Sequence, residues 1–466
     1  IFAEAVQAYS RFEAPIVPIK GPGYNLLGDH FHPILALLGP VYRLFPSALT
    51  LLVVQDVLIA ASVVPVARLA QRLLGRGGAL LVGLVYGLGW GLQGAVGAQF
   101  HEVCVAVPLL ALGGVAFVER RWGACMAWLA PLVLVKEDLG LTVFMAGLAI
   151  TWRGRSEGRP AVLRGLAYAL FGIVAFVVTV KVLLPAMNPA GTWAYSLDGS
   201  ATGAGTPMGG STAAHEVPSL WDILTTPSVK LATLLVLLAG AGFVGASSPW
   251  FALVLPTLAW RFAGSVEAYY VWDSWHYNAV LVPIAACSLL DVINRWCEPE
   301  RASRSASASA LAEAVGEDAL NDLRTDHVAT ASATRRRRAA AWAVACVPAL
   351  SLAITASALP LWQLPSLRED PRMAAAQGAL DAVPVGASVE TDTTLLARLV
   401  PGREVYWVGT TGKMETPPEY VVIDVRSYAW GGHQVDAESW ASAAHPGHTY
   451  ETVYAKAGFR VARRTS

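Results

Sequence analysis

The apolar residues of this chain are gathered into blocks, and that segregation constrains the fold more than any motif does. The blocks run at Leu49–Leu74, Ala79–Gly97, Val103–Val118, Gly123–Val135, Leu139–Trp152, Ala161–Pro185, Val229–Ala246, Trp250–Phe262, Ala279–Ile293 and Ala339–Leu361. A helix needs about 20 apolar residues to cross a bilayer, and a backbone in lipid must satisfy its own hydrogen bonds, so these blocks read as helices. Of the 466 residues 55% are hydrophobic and only 15% charged, with mean hydropathy +0.47. Soluble domains are about a quarter charged. The expectation is an all-α polytopic membrane bundle of about ten transmembrane helices, located in the cell membrane.

Arginine sets the orientation. One set of connections carries Arg72 and Arg76, Arg120 and Arg121, Arg153, Arg155, Arg159 and Arg164, and Arg295, Arg301 and Arg335–Arg338. The alternate set, after Gly97, Val135, Pro185 and Phe262, has Lys136 as its main cation. Positive charge marks the cytoplasmic side, so the second set faces outward. The same count divides Gly123–Trp152. As one span it would bury Lys136, Glu137 and Asp138 at the bilayer centre and put an arginine pair outside. Two short helices meeting at an outward Lys-Glu-Asp turn avoid both costs.

The remaining segments differ in kind. Residues 1–48 form a first outer loop with amphipathic helices, rich in Pro and Gly, and 49–297 the transmembrane core. Residues 298–338 have the composition of a disordered cytoplasmic linker, 339–361 form the last span, and 362–466 a small extracytoplasmic α/β domain. In that domain Arg372–Val383 reads as a helix. Val385–Glu390, Glu404–Val408 and Tyr420–Val425 read as strands, Tyr450–Ala457 as helix end or strand, and Phe459–Arg463 as a closing strand. Residue 1 is Ile inside a polar segment, so a further transmembrane helix is expected before it. The five cysteines form no CxxC pair and read as buried thiols. Zero net charge and the lack of a basic face with interleaved aromatics give no sign of a nucleic-acid partner.

Four polar clusters fall on the outward side: Gly28–Pro33, Phe100–Glu102, Lys136–Asp138 and Trp272–Asn278. They hold four of the nine histidines, His30, His32, His101 and His276. Carboxylates and imidazoles at span mouths can act as general bases, or hold a divalent cation that neutralises phosphate. The candidate catalytic residues are Asp29, His30, His32, Glu102, Glu137 and Asp138. The candidate substrate-binding residues are His101, Lys136, Trp272, His276 and Tyr277. The spacing of Asp29, His30 and His32 would also suit metal ligands, with Glu102, Glu137 or Asp138 completing an oxygen-rich set. A plainer reading stands beside each. Asp29 can cap a helix, Lys136 can pair structurally with Glu102 or its own turn, and His276 with Trp272, Trp275 and Tyr277 can form an interfacial aromatic belt.

The run Gly28-Asp29-His30-Phe31-His32-Pro33 leads into Leu44-Phe45-Pro46-Ser47. With Phe100-His101-Glu102, Val135-Lys136-Glu137-Asp138-Leu139-Gly140, His276-Tyr277 and Pro283, it resembles a bacterial family of multi-pass membrane proteins known as domain of unknown function 2079. That family is similar to the C-type glycosyltransferases, relatives of protein mannosyltransferases and of lipid A aminoarabinose transferase. The resemblance implies a polyprenyl-phosphate-sugar donor, catalysis on the extracytoplasmic face and an acidic general base in the first outer loop. In that superfamily the acid lies just after the first span, a position that here falls at or before Ile1. Glu4 is the nearest acid present, and Asp29 lies later in the same loop. The alternatives are a transporter or flippase of a lipid-linked or polar substrate, and a non-catalytic envelope assembly or sensor protein.

Overall fold

The computed structural model describes residues 1–188, 220–264, 266–296, 372–412 and 414–466. The linker 298–338 and the span Ala339–Leu361 lie outside the described residues, as do Cys297 and Cys346. The chain divides into two compact units. The first comprises Ile1–Val54, Val177–Ala214 and Leu364–Ser466, the second Gln55–Phe176 and His215–Gln363.

The second unit is helical. Its main helices are α3 (Ala48–Gly87, which begins in the first unit), α4 (Trp90–Gly97), α5 (Val103–Val118), α6 (Trp122–Leu129), α7 (Leu139–Gly154) and α8 (Arg159–Val178, which ends in the first unit). Helices Val229–Gly240 and Leu255–Ala263 follow, then a helical stretch at 281–296. Two apolar blocks, expected as separate helices, are consecutive in α3, broken at Gly75 (φ 83°, ψ −174°). Lys136–Asp138 is indeed non-helical, between a 3-10 segment ending at Leu134 and the start of α7.

Helix α5 is buried on nearly every side, whereas α3 and α8 expose Val57, Val64, Leu80 and Leu84, and Leu163, Leu170 and Val174. Apolar exposure on that scale is what lipid covers. Ala48–Gly87 and Arg159–Met187 are long and apolar enough to cross a membrane. The other expected spans among the described residues are shorter helices, several prolonged by 3-10 turns at prolines, as at Ala130–Leu134 and Pro249–Val254. Helices α7 and α8 approach through glycines. A Cβ at Gly147 would come to 2.3 Å from the Ala169 backbone, and one at Gly172 to 2.4 Å from that of Phe144. Small residues at such crossings are how helices associate without a hydrophobic drive.

In the first unit α1 (Phe2–Ser10) packs against α2 (Gly39–Leu44) and the 3-10 segment Pro33–Leu38 that precedes it. The C-terminal domain is a five-stranded sheet of β1 (Ser388–Thr391), β2 (Glu404–Trp407), β3 (Tyr420–Asp424), β4 (Tyr450–Lys456) and β5 (Phe459–Arg464), in the order β2-β1-β3-β5-β4. β1 runs parallel to β2 and β3, and β5 antiparallel to β3 and β4. The segment read as helix end or strand is β4. It turns into β5 through Ala457 and Gly458, both at positive φ, which suits a two-residue hairpin. The helix Met373–Asp381 lies where expected. A helix at Ala437–Ala444 was not anticipated; Asp436 caps it, and it buries Ala437 and Ala441 against Val421, Ile423 and Tyr450.

Candidate functional site

Three helices of the second unit carry different charge at their two ends. Glu102 precedes α5 and Arg120 and Arg121 follow it; Asp138 precedes α7 and Arg153 lies in its last turn; His276 lies before the 281–296 stretch and Arg295 near its end. Sixteen residues of helix separate the ends of α5 and of α7, about 24 Å at 1.5 Å per residue. The arginine-rich ends are joined by ion pairs. Glu119 meets both Arg72 and Arg121, Glu157 meets Arg120, and the buried Asp291 takes Arg153 at 2.8 Å and Arg295 at 3.4 Å. The connections that sequence grouped by their arginines thus gather at one set of helix ends.

The opposite ends build a different environment around Lys136. Its ammonium is 3.6 Å from Glu102 Oε1 and 5.5 Å from the ring centres of both Trp260 and Tyr277. Glu102 and Lys136 are both buried. Burial would lower the lysine pKa, but Glu102, Asp138 and Glu137 outweigh it and raise it. Trp260 is fixed by donating its indole N–H to Asp138 Oδ2 at 2.8 Å. His101 stacks on His276 with ring centres 3.5 Å apart, and His276 leans on Tyr277 at 4.0 Å.

Two residues missed by sequence reasoning hold this geometry. The fully buried Arg261 donates to the carbonyls of Tyr269 and Tyr277 and to Asn278 Oδ1, and Asn278 donates to the carbonyls of Val271 and Trp272. Together they tie down the loop that presents His276 and Tyr277. Gln55 accepts from the His101 amide and donates to the carbonyls of Ala95 and Gln99. Gly91 and Gly94 let α4 meet the same loop, since a Cβ at Gly91 would come to 2.4 Å from the Asn278 carbonyl oxygen. The available signal for Arg261 was an arginine on the side otherwise poor in arginine. Gln55 carried none.

The remaining expected residues lie in the first unit. Asp29 is buried, with Lys20 Nζ 2.9 Å and His30 Nδ1 3.1 Å from its Oδ2. Burial alone would raise its pKa, but His30 and Lys20 more than offset it and hold the carboxyl well below the usual range. Gly28 places this turn against Asn188, which donates to the Gly28 carbonyl at 3.0 Å. His32 is buried edge-on to Phe2, with ring centres 5.4 Å apart. Lys20 follows Pro18 and Ile19 in a turn that packs on β2. Glu4 is buried too, accepts from the Ile19 amide at 3.3 Å, and is pushed up to about 8 by burial.

Glu137 is buried in the Lys136 turn and acts on that lysine, and Trp272 enters the network through its backbone carbonyl. Asp29 serves a lysine and a histidine rather than a ligand set, and among the described residues no three His, Cys, Asp or Glu side chains are placed to hold a metal ion. The free cysteines Cys104, Cys125 and Cys287 are buried, as expected.

No curated protein matches the chain. Among solved structures it is similar to ArnT from Cupriavidus metallidurans in the apo state, at 14% identity and a TM-score of 0.45 over 99% of this chain and 92% of that one. It is also similar to the same protein bound to undecaprenyl phosphate, at 13% identity and a TM-score of 0.44 with the same coverage. Likenesses this distant give no residue a role. A family model described as a predicted membrane protein, domain of unknown function 2079, matches residues 1–461, and the chain belongs to that family.

Proposed function

We propose that this chain is a membrane glycosyltransferase that moves a sugar from a polyprenyl-phosphate donor to a cell-envelope acceptor on the outer face. The observation that carries the reading is the setting of Lys136. A buried ammonium faces two aromatic rings and the Glu102 carboxylate at a loose 3.6 Å, with Glu137 and Asp138 on its own turn, at the helix ends opposite the arginine-rich ones. A cation held this way can take up the charge that develops on a departing phosphate. The apolar faces of α3 and α8 suit a lipid chain. By the positive-inside rule the Lys136 ends face outward, and the C-terminal domain is extracytoplasmic.

In the reaction the acceptor hydroxyl oxygen bonds to the anomeric carbon. The bond from that carbon to the phosphate oxygen breaks, polyprenyl phosphate leaves, and the hydroxyl proton passes to a carboxylate. Two buried acids of the first loop are driven in opposite directions, a division that separates acid–base roles. Asp29 stays ionised beside Lys20 and His30, and so is a weak base that orients its neighbours. Glu4, at about 8, exchanges its proton near neutral pH, the property a general base of the first loop needs. A transporter would place its charges near the bilayer centre rather than at helix ends.

The test is transfer of radiolabelled sugar from polyprenyl-phosphate donors in membranes holding the full-length protein. Lys136→Met and Glu4→Gln should each lower transfer about 100-fold or more, with Asp29→Asn milder. Unchanged transfer in all three overturns the reading.

A further inference from the structure

The segment from Pro33 to Phe45 is apolar on two faces. Leu35, Gly39 and Tyr42 are buried, Gly39 so close that a Cβ would come to 3.0 Å from the Tyr9 backbone. The other face exposes Leu37, Val41 and Leu44, followed by Phe45, at 74%, 37%, 75% and 65%. A helix apolar all round has no stable place with one face in water.

Phe12, at the end of α1, points to the same conclusion. It is 88% exposed, with φ 61°, a left-handed conformation that a bulky residue rarely adopts. Its side chain shares one open groove with Tyr9, Pro40, Arg43 and Leu44, so Phe12 and the exposed stripe form one surface.

What covers this surface is indicated by where it leads. Three residues after Phe45 begins α3, one of the two helices long and apolar enough to cross a membrane, and its first turns expose Leu49 and Val53. The stripe therefore continues directly into a lipid-facing surface. Twelve residues from Pro33 to Leu44, half of them 3-10, are too short to span. Arg43, exposed on the same groove, can keep its guanidinium among headgroups while its stem follows the apolar surface.

We infer that Pro33–Phe45 and Phe12 form an interfacial anchor, lying in the headgroup region of the bilayer at the mouth of α3. The partner is a lipid surface. The anchor would hold the first loop, with Lys20, Asp29 and His30, at headgroup depth. It rests on the chain being a membrane protein and stands whether or not the chain transfers sugar.

Nitroxide labels on single cysteines test it in the full chain reconstituted in phosphatidylcholine–phosphatidylglycerol vesicles, with Phe12→Cys, Leu37→Cys, Leu44→Cys and, as an aqueous control, the exposed Thr449→Cys. All four positions are exposed, so substitution leaves packing intact. Labels at 12, 37 and 44 should be about five-fold less accessible to a water-soluble nickel relaxant than the label at 449, while open to oxygen, as at shallow depth. Nickel accessibility equal to that at 449 overturns the anchor. So does a depth at the bilayer centre, or dipolar broadening between labels, which would mean that a second copy covers the face.

Discussion

Each unit pairs a lysine with a buried carboxylate, and the two pairs are built for different ends. In the first, Lys20 sits 2.9 Å from Asp29, which His30 also approaches, and the lysine is itself about a quarter exposed. The charge is neutralised at close range. In the second, Lys136 is more deeply buried, its nearest carboxylate is 3.6 Å away, Glu137 and Asp138 act on it from its own turn, and two aromatic rings face its ammonium. A close pair is a brace. A loose pair among rings holds a cation in place while leaving its charge open to a third group. Glu4 extends the comparison to a buried carboxylate whose closest hydrogen-bond partner is a backbone amide, and its pKa rises instead of falling.

The largest expected effect tests that contrast directly. Lys136→Ala leaves the buried Glu102 without its ammonium and should cost about 3–5 kcal/mol, as breaking a buried pair from one side does. Lys20→Ala, at a partly exposed lysine, should cost about 1 kcal/mol. Thermal unfolding in detergent checks both. Adding Glu102→Gln to Lys136→Ala should restore a large share of the loss. If Lys20→Ala proves the more damaging, the assignment of brace and open cation is reversed.

Glu4 should give the next largest effect, through pH. Its carboxyl binds its proton more tightly in the folded chain, at about 8 against 4.5. The stability it contributes is therefore complete below pH 4.5 and is lost as pH rises through 8. Glu4→Gln should flatten the decline in melting temperature between pH 5 and 9. A parallel decline in the variant would assign it to another group. Smaller again is Gly91→Ala, whose Cβ would push on the Asn278 carbonyl and displace the loop carrying His276, costing about 1–3 kcal/mol. Under the transferase reading the same variant should raise the KM for donor more than it lowers kcat.

How much of this was visible in the sequence depends on the range of the interaction. The turn at Lys136–Asp138 was legible because three adjacent charges cannot sit at a bilayer centre. The strands of the C-terminal domain were legible because Tyr420–Ile423 is a run of β-formers. Asp29, His30, Glu102 and Lys136 stood out as charges at the edges of apolar blocks. Trp260, Arg261 and Gln55 did not, because a tryptophan, an arginine and a glutamine within apolar blocks look like interfacial anchors. Their roles exist only across 122 residues to Asp138, 17 to Asn278 and 46 to His101. Lys20 was hidden for the same reason. Nothing in Pro18-Ile19-Lys20 shows that the chain turns there and brings the ammonium to Asp29.

Asp29 itself should show the smallest pH effect, and that is how the brace differs from Glu4. Its carboxyl pKa is lowered, so the stability it contributes is present above the unfolded value and is lost only as pH falls through the folded one, below 3.8. From pH 5 to 9 the carboxylate is therefore fully ionised, and Asp29→Asn should shift the melting temperature by a nearly constant amount across that window. The shift should match a loss of about 1 kcal/mol, because the partners are partly exposed and the amide still accepts a hydrogen bond. His30, 3.1 Å from the carboxylate, is a neighbour able to disturb this constancy. If the cost of Asp29→Asn grows below the ordinary histidine pKa of about 6.5, an imidazolium ion is part of the pair. If it does not, Lys20 alone carries the positive charge. A cost that instead changed steeply through pH 8 would place the titrating carboxyl at Asp29 rather than Glu4, and the division of roles between the two acids would fail.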